Sequence, residues 1–85
     1  MRKINLVFDE VYDDADILLV PDWVAEEAWH WPMRYGTWLV AQGRIDMETE
    51  GFVEWLNAQI DSEAEKVRIL QQHVTVSAAE PSIDF

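Results

Sequence analysis

PDWVAEEAWHWPMRYGTWLVAQ, residues 21–42, is the stretch whose reading decides the fold. It holds four of the five tryptophans, Trp23, Trp29, Trp31 and Trp38, together with Tyr35. Asp22 behind Pro21 is a favourable helix N-cap. Glu26 and Glu27 lie toward the positive end of the helix dipole, and Gly43 follows as a C-terminal stop. At about 100° per residue, Val24, Ala28, Trp31, Tyr35, Trp38 and Leu39 share one side, which predicts a core face. Trp29, Met33, Gly36 and Val40 form a second apolar stripe on the other side. Such a stripe is either covered by the chain's own strands or offered to a partner. Pro32 lacks a backbone donor and collides with the carbonyl of Ala28, which predicts a long helix that kinks or breaks at Pro32.

Working outward, residues 3–8 alternate Ile4, Leu6 and Phe8 with Asn5 and Val7 and read as a strand. Residues 9–16 are an acidic connection, and residues 17–20 are extended. Beyond the long helix, residues 44–47 suit a short strand. Thr49 then caps a second helix, residues 50–60, with Phe52, Val53, Leu56 and Ile60 on its apolar side. Ser62 and Glu65 have capping-box spacing and predict a further helical turn. Residues 69–76 read as a strand that pairs with residues 3–8. TWLVAQ at residues 37–42 and EWLNAQ at 54–59 resemble each other as two amphipathic helices do, not as a repeat array. The predicted fold is α+β, a single domain over residues 1–76 with two main helices on a small antiparallel sheet. Residues 77–85 form a flexible tail, from which Ile83 and Phe85 can dock back.

The 85 residues carry seventeen acids against six bases, a net charge of −11, and no cysteine. Disulfide frameworks and thiolate zinc sites are thereby excluded. The acids come in blocks. Residues 9–27 contain eight and no base, and residues 46–65 contain seven and no base. Such a field repels nucleic acid and anionic membranes and attracts basic protein surfaces, although it also serves solubility. The N-terminal apolar run is too short for a signal peptide or a membrane span. The expected location is the cytoplasm of a bacterial host.

Catalytic chemistry finds little footing. Asp14 and Asp16 give one step of a calcium loop, but Leu18 stands at the next ligand position and no glycine follows. Glu27 and His30 have the Glu-x-x-His spacing of di-iron bundles in a single copy, where two are needed. Nothing resembles a phosphate-cradling glycine loop, and there is no cysteine nucleophile. The reading is a non-enzymatic protein with no metal and no cofactor. Base stacking on the tryptophans would need a basic groove that is missing, so direct nucleic-acid binding is disfavoured.

Protein recognition remains. Carboxylates several ångströms apart can occupy a basic groove meant for nucleic acid, with tryptophans as apolar anchors. The candidate partner-binding residues are Asp9, Glu10, Asp13, Asp14, Asp16, Glu26, Glu27, Trp29 and Met33. YDDADILLVPDWVAEEA at residues 12–28, GFVEWLNAQI at 51–60 and EKVRIL at 65–70 together resemble small acidic proteins encoded by phages and prophages. Inhibitors of bacterial defence, anti-CRISPR proteins among them, come from that pool. Pro32 and Gly36 depart from the pattern, and no functional residue is carried over. The resemblance implies an accessory protein that acts by binding, with a CRISPR effector as one candidate target. The alternative expectation is a phage structural or regulatory protein that forms a homodimer through the Trp29, Met33 and Val40 stripe.

Overall fold

Ile4 and Leu6 point to the same side as Leu18 and Val20, and this shared parity organises the molecule. The computed structural model describes residues 1–9, 14–77 and 79–85, with the backbone alone described at Asp9 and Asp84. Among these the elements are β1 (Arg2–Asp9), β2 (Asp14–Val20), α1 (Asp22–Glu26), α2 (His30–Ala41), α3 (Thr49–Asn57), a 3-10 turn (Glu63–Glu65), β3 (Arg68–Thr75) and β4 (Ser82–Asp84). The fold is α+β. The strands form one sheet in the order β3-β2-β1-β4, antiparallel except for the parallel β1–β4 pair.

Three expectations about the sheet are corrected. The sheet is mixed, not wholly antiparallel. β3 pairs with β2, not with β1. The tail expected to be flexible supplies β4, and Ile83 enters the core. The third correction has a cause in β1. Asn5 points away from the helices and is fully buried. Its amide donates to the carbonyls of Ser77 (2.8 Å) and Glu80 (3.2 Å), and its carbonyl accepts the Ser77 N–H at 3.2 Å. Its backbone N–H donates to the Pro81 carbonyl at 2.8 Å. These bonds tie down the connection that must cross β2 and β1 to reach the far edge. A buried amide with its donors and acceptor engaged contributes stability where an unpaired one would cost it.

The stretch over residues 21–42, expected as one helix kinked or broken at Pro32, is two helices that part before Pro32. Residues 27–29 form a turn between them, and the backbone departs from helical geometry at Glu27, with φ −121° and ψ 39°. Pro32 sits in the first turn of α2, where no intrahelical donor is required of it. The break relieves the clash with the Ala28 carbonyl before Pro32 is reached. Val24 and Ala25 of α1 and Trp31, Tyr35 and Leu39 of α2 cover the sheet beside Phe52 and Leu56 of α3. Two expected core residues lie at its margin instead. Trp38 is 39 % exposed because it falls on the flank of α2 facing α3, and Phe8 is 38 % exposed because it lies beyond the helical cover. Residues 44–48 form no strand, and Thr49 is the first helical residue after a Glu48 N-cap. Lys66 caps the end of α3 by donating to the carbonyls of Asn57 and Ile60.

Candidate functional site

The first candidate surface is the end of the sheet at which β1 and β2 meet. Asp14 opens β2, paired with Asp9 on one side and Thr75 on the other. Its carboxylate lies 3.5 Å from His73 Nδ1. Asp16 has the parity of Leu18 and Val20, so it faces inward and is 1 % exposed. Opposite it β3 bulges: Ala15 pairs with Val74 and Ile17 with Gln71, leaving Gln72 and His73 facing one residue. His73 adopts φ 53°, a region that non-glycine residues seldom occupy. Asp16 holds this bulge, accepting the His73 N–H at 2.9 Å and the Gln72 amide at 3.5 Å. Gln72 also donates to Glu50 at 2.8 Å, and this bond is the main reason the Glu50 carboxyl sits below its ordinary pKa.

A small pocket of about 190 Å³ at this end is lined by Phe8, Asp16, Met47, Glu48, Glu50 and His73 among others. Glu48 and Glu50, from the second acidic block, thus share this pocket with His73, the residue that Asp14 contacts. The bases lie elsewhere. Register places Arg2, Lys3 and Arg68 beside Val20 and Leu19, at the opposite end of the sheet. Arg44 is engaged by Asp46 through two hydrogen bonds (2.9 and 3.2 Å), which raise the arginine pKa and lower that of Asp46. Among the described residues Asp14, Asp22 and Asp46 are the carboxylates found in ion pairs, and Asp22 meets the N-terminal amine at 3.2 Å. The negative field is therefore little neutralised within the chain.

The second candidate surface is the outer side of α2. Trp29 is 65 %, Met33 67 % and Val40 69 % exposed, against 9 % for Trp31. Met33 and Thr37 form a ridge between two grooves. One, of about 590 Å³, is lined by Pro32, Gly36, Val40, Met47 and Phe85. The other, of about 550 Å³, is lined by His30, Arg34, Trp38, Ala41, Trp55 and Gln59. Beneath this ridge Tyr35 packs on Phe52, Trp55 and Phe85. Burial pushes the Tyr35 hydroxyl above its ordinary pKa.

The expected site residues divide accordingly. Glu10 and Asp13 lie outside the described residues, as does the side chain of Asp9. Asp16, expected on the binding surface, is instead a buried support of the β3 bulge. Asp14 contacts His73, which shares a pocket with Glu48 and Glu50. Glu26 and Glu27 are exposed, but β2 carries the chain about 20 Å along the sheet before α1 begins. No hydrogen bond or ion pair among the described residues joins them to Asp14. Trp29 and Met33 are exposed together on the α2 side. Sequence reading missed Glu48, Glu50, Met47 and Phe85 as neighbours of these surfaces, because their placement follows from the β2–β3 and β1–β4 pairings. Comparison with protein-family models, curated proteins and solved structures found no match.

Proposed function

We propose that the protein acts by binding: it is an inhibitor whose acidic sheet end docks on a basic, nucleic-acid-binding protein of a bacterial defence system, as an anti-CRISPR protein does. The observation that carries this reading is the gathering of Glu48 and Glu50 around His73, which Asp14 contacts, at one end of the molecule, with Arg2, Lys3 and Arg68 at the other. Asp14 stands at the start of β2 and Glu48 and Glu50 at the start of α3, and such a group of carboxylates offers a basic groove negative charge in place of phosphates. The surrounding field steers a basic partner toward this end. No catalytic step, metal or cofactor enters the reading. The expected setting is the bacterial cytoplasm, and among the described residues no helix is long and apolar enough to cross a membrane.

The test begins with capture from a bacterial lysate and mass spectrometry to identify the target. Association of that target with wild type and with the triple variant Asp14→Asn, Glu48→Gln, Glu50→Gln is then measured across a salt series. The variant is expected to associate about tenfold more slowly and to show a shallower salt dependence. An unchanged rate and salt slope would sink the proposal for this surface.

A further inference from the structure

We infer that the outer face of α2 seats a second copy of this chain, the two α2 helices lying antiparallel and crossing at Gly36 and Thr37. Three observations converge on a second copy as the occupant. The first is charge. The twelve residues of α2 include no acid, in a chain of net charge −11. Two copies that met through the acidic sheet end would set carboxylate against carboxylate, whereas this face meets itself without that repulsion. The antiparallel arrangement also opposes the helix dipoles favourably and keeps the two Arg34 side chains apart.

The second observation is shape. A two-fold interface must be self-complementary, with residue i of one copy on residue j of the other and the reverse. Met33 and Val40 flank the small central residues Gly36 and Thr37, and a groove runs on either side of the ridge. Crossing at the small residues lets the helices approach closely. Met33 of each copy then lies against Val40 of the other, ridge into groove.

The third is area. A standard dimer takes about 800 Å² from each partner, roughly 15 % of the 5300 Å² this chain exposes. Aromatic side chains carry roughly 150–250 Å² each, so Trp29 and Trp38 at 65 % and 39 % exposure hold on the order of 200 Å² between them. Met33, Val40 and Met47 extend this apolar centre, with Arg34 and Gln59 at its rim. The patch is smaller than that of a permanent dimer and suits a weak, reversible one.

The test is sedimentation velocity from micromolar to submillimolar concentration at low and high salt. Wild type is expected to move from monomer to dimer, and more readily at high salt, because salt screens the repulsion between two −11 bodies and favours apolar burial. This direction is opposite to that expected of the complex proposed above, so the two ideas fail separately. Thr37 is exposed, and its hydroxyl donates to the Met33 carbonyl one turn back. Thr37→Glu should therefore fold normally, checked by near-ultraviolet circular dichroism, and remain monomeric. As a second readout, Thr37→Cys should link two copies under mild oxidation in this cysteine-free chain, while Gln71→Cys on the exposed edge strand should not. A wild type that stays monomeric throughout, a Thr37→Glu protein that dimerises like wild type, or equal cross-linking at both positions would overturn the proposal. The first of these outcomes would leave the face to an unrelated partner.

Discussion

At the hairpin end of the sheet, Asp14, Glu48 and Glu50 stand around a buried aspartate; on the outer face of α2, twelve residues pass without one acid. The first region is held by hydrogen bonds. Asp16 fixes the bulge, Gln72 joins β3 to Glu50, and the left-handed His73 is tolerated because a carboxylate accepts its N–H. The second is held by packing from below, on Tyr35, Phe52 and Trp55, while Trp29, Met33 and Val40 above are about two-thirds exposed. The exposed part of each surface adds little to the monomer: like charges brought close oppose folding, and Trp29 and Met33, about two-thirds exposed, gain little from burial. What differs is the lever that acts on each: salt weakens what the acids do and strengthens what the apolar ridge does.

The largest effect expected from breaking this comparison lies in the packing that supports α2. Phe52 is fully buried between Tyr35 and Phe85, so Phe52→Ala should cost about 3–5 kcal/mol. Trp38→Ala, a larger truncation, should cost no more than about 2 kcal/mol because its indole is 39 % exposed on the flank. Urea midpoints of the two variants check the ranking. A Trp38 cost equal to that of Phe52 would return Trp38 to the core.

The same ranking shows what the sequence revealed. Trp31, Tyr35 and Leu39 were legible because four-residue steps outlast a break in the helix before them. Trp38 was misplaced because one position at the margin of an apolar arc turns on a modest rotation. Asp16 was misread because an acid at the start of a strand looks like loop, although its parity with Leu18 and Val20 was present. The broken alternation in residues 68–76 has a physical source: β3 shifts register at both Ile17 and Asp16, so no single parity describes it. The three-residue β4 rests on Asn5 some 77 residues away, and local pattern does not report such a partner.

The next effect separates the two kinds of aspartate at the hairpin end. Asp16→Ala removes the buried carboxylate that accepts the His73 N–H and should cost about 1.5–3 kcal/mol. Asp14→Asn should stay within about 0.5 kcal/mol, because Asp14 is partly exposed and its histidine contact is long. Thermal unfolding of both variants provides the check, and equal losses would mean that Asp16 is not the support of the bulge.

A smaller effect, with opposite signs, comes from two glycines. A Cβ on Gly51 would run into the Tyr35 hydroxyl, at the end of a ring that the core holds in place, so Gly51→Ala should destabilise. A Cβ on Gly36 would meet Met47 Sδ at 3.7 Å, an ordinary contact. Gly36→Ala should therefore stabilise the monomer by about 0.5–1 kcal/mol through helix propensity. If Gly36 is the crossing point of two copies, the added methyl should at the same time weaken dimerisation. Unfolding and sedimentation of one protein would then move in opposite directions, and loss of stability in Gly36→Ala would show that the fold itself requires this glycine.

The smallest effect is at Glu50, and it reports whether the hydrogen bonds at the acidic end form in solution. The Gln72 amide donates to this exposed carboxylate and holds its pKa below the ordinary glutamate value. A group whose folded pKa is depressed contributes stability above its unfolded pKa and loses it as pH falls through the folded one. The Gln72–Glu50 contact should therefore persist at neutral pH and through the range in which free glutamate titrates, and loosen only below it. Carbon-detected NMR titration of the glutamate carboxyls should place Glu50 below the ordinary glutamate value, and Gln72→Ala should move it up toward that value. Because the carboxylate is exposed, global stability should scarcely change. A Glu50 that titrates at the ordinary glutamate value in wild type would mean that β3 and α3 are not joined at this end, and that Glu48 and Glu50 are not held beside the β3 bulge.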